Sequence, residues 1–184
     1  MTSTTTDDDV PTKRRFGRYL CSDTKYVKTE SVRGYRYLFI VLDKDTRVTY
    51  AFLGVQKSDF TPIAKRWIRK FYNKYKRYPE YWKFDQGGEF LNEDLLNELE
   101  NRGVKFIFST TQAHNQNAYA ERSIGVVWNG VLKMLACSGV PMQFWCYCAC
   151  YAVFLLNHIP HRGLGNDIPF KRAHMHTHYE HIYP

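Results

Sequence analysis

The sequence predicts one α/β domain built on a five-stranded mixed sheet with helices on both faces. Three observations lead there. Three strand-like segments follow one another early in the chain, two shorter ones alternate with helical patterns in the middle, and two successive apolar helices close it. At 184 residues the chain suits one domain with a proper core.

The leader, residues 1–15, is rich in Thr and Asp, has no hydrophobic stretch of the signal-peptide kind, and is expected to be flexible. Tyr19 to Asp23 then reads as a short strand ending at Asp23. A polar connection through Gly34 leads to the strongly strand-like segment Tyr35 to Leu42, Asp43 to Thr46 makes a turn, and Arg47 to Val55 returns as a third strand. The simplest arrangement is an antiparallel meander. From Ser58, with Asp59 and Pro62 as start signals, Ile63, Trp67, Phe71 and Tyr75 recur at helical spacing. A fourth strand covers about Tyr81 to Asp85. Asn92 caps a short helix that Gly103 ends, and Val104 to Phe108 is the fifth strand. Ala120, Ile124, Val127, Val131 and Leu135 mark the apolar face of the next helix. The helix after Pro141 is apolar almost all round, which predicts that it is buried. Residues 16–160 make up the core, and 161–184, rich in Gly, Pro and His, read as an extended tail. This order of elements is the ribonuclease-H-like arrangement.

Net charge is +8 and the pI is near 9.2, which points to a polyanionic partner, nucleic acid before an acidic membrane surface. The longest apolar run, Phe144 to Leu156, is too short to span a bilayer, so no membrane partner is expected. Cys21, Cys137, Cys146, Cys148 and Cys150 form an odd set without the spacing of a disulfide framework and predict a reducing compartment.

Three carboxylates stand out. Asp85 lies in Phe84-Asp85-Gln86-Gly87-Gly88-Glu89-Phe90, and Glu121 in Asn117-Ala118-Tyr119-Ala120-Glu121-Arg122, with thirty-five residues between them. If the fourth strand pairs parallel beside the first, Asp23 and Asp85 leave the same sheet edge and Glu121 can lean over it. Three hard oxygen donors there suit two Mg²⁺ or Mn²⁺ ions, the chemistry that cuts and joins phosphodiesters. Taken singly, an Asp at a strand end is more often a turn former, and a Glu in a first helical turn a surface group favoured by the helix dipole. Asp43 and Asp45 are rivals of Asp23 for the first position.

Asp85-Gln86-Gly87-Gly88-Glu89-Phe90, Ser109-Thr110-Thr111, Gln116 to Arg122, and Cys137-Ser138-Gly139-Val140-Pro141 with Phe144-Trp145 resemble the catalytic core of retroviral-type integrases, the copia-type LTR retrotransposons being the nearest branch. The resemblance runs from about Arg18 to Phe170. It implies two aspartates and a glutamate on two metal ions, attack of a DNA 3′-hydroxyl on target DNA, homo-oligomers, and an intracellular setting in nucleus and cytoplasm. Asp85 and Glu121 match the family's motif directly. Ala118 stands where the family usually has Gly, and Ile124 and Gly125 where it usually has a cation facing DNA.

The basic face of the first long helix, with Lys65, Arg66, Arg69 and Lys70, could track a DNA backbone, and Asn117 beside Glu121 could contact DNA. A solvated charged face over a buried aromatic stripe explains the helix equally well. Cys146, Cys148 and Cys150 read as small buried hydrophobes. His174, His176, His178 and His181 form a weak zinc candidate. Trp128, Trp145 and Tyr147 offer apolar surface for self-association. A catalytically weakened remnant that binds nucleic acid or oligomerises, and a nuclease of the same fold, are the alternative functions.

Overall fold

The structure is a computed structural model that describes residues 15–84, 92–108 and 118–174. Its elements run β1 (Tyr19–Tyr26), β2 (Tyr37–Asp43), β3 (Thr49–Gly54), α1 (Phe60–Tyr75), β4 (Tyr81–Phe84), α2 (Glu93–Asn101), β5 (Lys105–Phe108), α3 (Ala118–Ser138), α4 (Trp145–His158) and α5 (Pro169–His174). The five strands lie in the order β3-β2-β1-β4-β5. β1, β2 and β3 form the antiparallel meander, while β4 joins β1, and β5 joins β4, in parallel.

Alternation along the strands divides the core into two. Leu20, Phe39, Val41, Trp82 and Phe84 face α1 and α2, whose Ile68, Phe71, Leu95 and Leu99 close that side. Leu38 and Ile40 face the other way, onto Val127 and Val131 of α3 and Trp145 and Ala149 of α4. Each such side chain, fully removed from water, contributes about 1.5–3 kcal/mol. At the start of α1 the Asp59 carboxylate accepts hydrogen bonds from the Val55 and Gln56 amides at 2.8 and 3.0 Å, turning the chain out of β3. Asn92 accepts from the Asp94 amide at 2.7 Å and caps α2.

The β2–β3 turn is fastened to the chain ahead of β1. Asp43, fully buried, accepts from the Thr46 amide and hydroxyl, each at 2.7 Å, and from the Gly17 amide at 2.6 Å. Asp45 accepts from Arg18 Nε at 3.3 Å and from the Arg15 amide at 3.2 Å. Gly17 has φ 69°, and a Cβ there would stand 2.2 Å from the Phe71 ring, so only glycine fits.

The structure departs from the sequence expectations in three places. β1 does not end at Asp23 but runs on to Tyr26, because Thr24, Lys25 and Tyr26 pair with Phe39, Leu38 and Tyr37 of β2. Backbone pairing carries the strand through side chains that have no apolar pattern. α4 is only half buried: Trp145, Cys146 and Ala149 pack inward, whereas Tyr147 and Tyr151 are 52% and 54% exposed. The chain after residue 160 is not extended over its described part. Arg162–Leu164 form a 3₁₀ turn, and α5 folds back so that Ala173 joins the α1 side of the core and His174 meets Phe16, Tyr75 and Phe170.

Candidate active site

Asp23 sits in the middle of β1. Tyr19 and Cys21, four and two residues earlier, pack with Tyr81, Ile107 and Ala120 of α3, while Leu20 and the Ser22 hydroxyl, which accepts from Trp82, belong to the α1 side. Asp23 therefore shares the α3 side with its cross-strand partner Ile40. Its Oδ1 accepts from the Thr24 amide at 2.7 Å, and the residue is half-buried.

The β1–β4 ladder pairs Tyr19 with Tyr81, Leu20 with Trp82 and Cys21 with Lys83. Asp23 stands two residues beyond the last of these pairs. Asp85, two residues beyond Lys83 in the sequence, lies outside the described residues, as do Glu89 and Asn117. Glu121 is exposed in the first turn of α3, directly after Ala120, which is buried against Tyr19 and Cys21. The helix thus brings Glu121 to the side of the sheet that Asp23 faces. Ala118 is the first residue of α3.

The rivals of Asp23 are engaged elsewhere. Burial pushes the Asp43 carboxyl up from 3.8 to about 6 against the pull of its Thr46 and Gly17 hydrogen bonds. Asp45 is paired with Arg18. Among the described residues no three His, Cys, Asp or Glu side chains gather as a metal site, and the described part of the proposed trio is the pair Asp23 and Glu121. His174 is held in an aromatic cluster, and His176, His178 and His181 lie outside the described residues. All five cysteines are free. No described helix is long and apolar enough to cross a membrane.

Lys65, Arg66, Arg69 and Lys70 are on α1, across the sheet from Asp23 and Glu121. Lys65 pairs with Asp94 of α2, and Arg69 Nε donates to the Lys65 carbonyl at 3.2 Å. Arg66 and Lys70 instead rim a cleft of about 840 Å³ between α1, β3 and α4, floored by Tyr50, Trp67 and Phe71. Neither Asp23 nor Glu121 lines it.

No family model matches the sequence. Among curated proteins, the retrovirus-related Pol polyprotein from transposon RE1 of Arabidopsis thaliana is 26% identical over 154 residues, covering 84% of this chain and 10% of that protein. The Pol polyprotein from transposon TNT 1-94 of Nicotiana tabacum is 21% identical over 143 residues, covering 78% of this chain and 11% of that protein. The chain therefore spans about a tenth of the length of these relatives. Among solved structures, the HTLV-2 integrase catalytic core in complex with magnesium, in a trimeric form, superposes with a TM-score of 0.64 at 15% identity, covering 88% of this chain and 100% of that one. A chain of the simian T-cell lymphotropic virus intasome in complex with the PP2A regulatory subunit B56 gamma gives a TM-score of 0.68 at 12% identity, covering 94% of this chain and 59% of that one.

The homologues are copia-type retrovirus-related Pol polyproteins. The five-stranded mixed sheet is the ribonuclease-H-like fold of retroviral integrase catalytic cores.

Two features of this integrase-like core escape sequence reading. Lys83 of β4 is 1% exposed and lies beside Cys21 on the same side of the sheet as Asp23. A lysine inside the apolar run Tyr81-Trp82-Lys83-Phe84 was the available signal, since a buried ammonium needs a polar partner. Lys44, Arg47 and Arg122 converge on Tyr119. No local spacing links a hairpin turn to a helix seventy residues later, so only tertiary structure reveals them.

Proposed function

We propose that this chain is an integrase-like polynucleotidyl transferase core that joins the 3′ ends of retrotransposon DNA to target DNA, with Asp23, Asp85 and Glu121 holding two Mg²⁺ or Mn²⁺ ions. One observation carries the reading: α3 brings Glu121 over the side of the sheet that Asp23 faces, beside the parallel β1–β4 pair, whose fourth strand is described as far as Phe84, the residue before Asp85 in the sequence. The bound ions would supply charge neutralisation at the attacking and leaving oxygens of the phosphodiester. The chain's own part is to present hard carboxylate donors from two rigid strands and a helix, a choice suited to Mg²⁺ or Mn²⁺. Asp23 is favoured over Asp43 because the Asp43 carboxyl already accepts three hydrogen bonds at the far end of β2. The magnesium in the HTLV-2 core supports the choice of ion.

DNA, at the element's ends and at the target, is the partner, so the work belongs in the nucleus after passage through the cytoplasm. Self-association uses the outer face of α4, where Tyr147, Tyr151, Phe154 and Leu155 are exposed. Dimeric and trimeric forms of the HTLV-2 core support self-association as such.

Incubation with Mn²⁺ and a pre-cut DNA end tests the proposal. Joined products are expected, and Glu121→Gln should reduce joining at least about a hundredfold, as removal of one group stabilising developing charge does elsewhere. Binding without turnover would instead identify a weakened remnant, and cleavage without joining a nuclease.

A further inference from the structure

Around the first turn of α3, next to Glu121 in the sequence, lies a group of cations that the metal chemistry does not use. Tyr119, two residues earlier on α3, has the Arg47 guanidinium 4.3 Å from its ring centroid, Lys44 Nζ at 5.5 Å and the Arg122 guanidinium at 5.9 Å. Lys44 also stands 4.4 Å over the ring of Tyr19, bridging β1 and α3. An aromatic face attracts a cation, but three cations around one ring repel one another.

The acidic groups of the same hairpin are hydrogen-bonded or ion-paired to other residues. Asp43 is committed to Gly17 and Thr46, and Asp45 to Arg15 and Arg18. None of the three cations pairs with a carboxylate among the described residues. Arg47 is fixed in place by the turn: its amide donates to the Asp43 carbonyl at 2.9 Å with φ 64°, and its Nε is buried without a hydrogen-bond partner. An anion with several acceptor oxygens would neutralise the cluster, and charge-assisted hydrogen bonds from guanidinium to phosphate oxygens are the strong kind.

We propose that Lys44, Arg47 and Arg122, gathered around Tyr119, bind a backbone phosphate of the DNA strand held beside Glu121. The proposal rests on the nucleic-acid reading above, but it concerns grip rather than chemistry. The cluster joins the β2–β3 turn to the helix that carries Glu121, so a phosphate bound there fixes the strand relative to that carboxylate. Direct contact with a phosphate positions a strand without reading its sequence.

The test is binding of a duplex DNA end to the full chain in EDTA across a range of salt, which removes metal chemistry from the readout. Lys44→Gln/Arg122→Gln should bind at least about tenfold more weakly and lower the slope of log affinity against log salt by about 0.9, the share of one phosphate. Lys44→Arg/Arg122→Lys should keep both. In the unaltered protein, a scan of single methylphosphonates along the DNA should find one position whose neutralisation weakens binding, and that position should be silent in Lys44→Gln/Arg122→Gln. Unchanged affinity and slope in the charge-removing variant overturns the proposal, and so does a methylphosphonate scan of the unaltered protein with no sensitive position. If inorganic phosphate stabilises the unaltered protein against heat while the DNA slope ignores the variant, the site takes a free anion and the DNA assignment fails. Failure to join ends in Mn²⁺ with the slope intact would remove the transferase reading and leave the phosphate site standing.

Discussion

Gly125 is exposed on α3, and a Cβ built there meets nothing within 4 Å. Its φ is not positive, so the residue gains nothing from lacking a side chain. Its neighbour Ile124 is buried against the sheet with Val127, so of the two positions where the resemblance implies a DNA-facing cation, this chain exposes only Gly125. Gly125→Ala should therefore raise the unfolding free energy by about 1 kcal/mol, the difference between glycine and alanine in a helix interior. Chemical denaturation measures it, and an unchanged midpoint would mean that the helix is frayed at that turn. Gly17 behaves oppositely. Its amide anchors Asp43, and the Phe71 ring occupies the space of any Cβ, so no substitution there is neutral.

At the scale of elements, α4 shows what periodicity can and cannot say. Its sequence is apolar around the whole circumference, a pattern that normally marks a buried helix. Yet Tyr147, Tyr151, Phe154 and Leu155 face outward in the single chain, with Phe154 stacked between Tyr151 and His158. The two statements agree if a second copy covers that face. Tyr151→Glu/Leu155→Glu should raise the dissociation constant of a homodimer at least about tenfold, 1.4 kcal/mol in free energy, and leave the fold intact. Sedimentation equilibrium reads the change, and a chain monomeric before substitution sinks the idea. Where local pattern and tertiary environment agree, the elements were legible from sequence. The meander, the Asn92 cap and the apolar face of α3 all follow from apolar periods and turn residues, whereas the parallel pairing of β4 was a condition that the sheet order met. What was not legible depends on contacts between distant segments. Asp23 lies mid-strand because β2 supplies partners as far as Tyr26, Trp145 is wholly buried rather than an association surface, and α5 exists because Ala173 and His174 find a place against Phe16 and Tyr75. For the candidate site, the strand and helix that carry Asp23 and Glu121 were legible, whereas the cations around Tyr119 were not.

At the scale of the whole molecule, two buried groups set opposing pH dependences. Burial raises the Asp43 carboxyl from 3.8 to about 6, so the folded state holds that proton more tightly than the unfolded chain does. Its contribution to stability is full below 3.8 and is lost as pH rises through 6. Burial, with Lys74 close by, lowers His174 from 6.5 to about 4, so here the unfolded chain holds the proton more tightly. That contribution is full above 6.5 and is lost as pH falls toward 4. Each shift corresponds to about 3 kcal/mol, at 1.36 kcal/mol for each pKa unit. Over the shared window the two oppose each other, because acidification protonates the buried Asp43 carboxyl at one end of the sheet while it charges the imidazole that docks α5. The opposition masks each effect in the unaltered protein, and single variants separate them. His174→Phe suits the aromatic cluster and should become more stable than the parent as pH falls from 6.5 to 4, by about 3 kcal/mol across the window. Asp43→Asn forfeits hydrogen bonds at every pH and should lose a further 3 kcal/mol or so over the same fall, since His174 then titrates alone. Groups common to both proteins drop out when a variant's urea-unfolding profile is subtracted from the parent's. A flat difference for His174→Phe would show that α5 releases the imidazole to solvent in the folded state, and a flat difference for Asp43→Asn would show that the three hydrogen bonds to the carboxylate fully offset its burial.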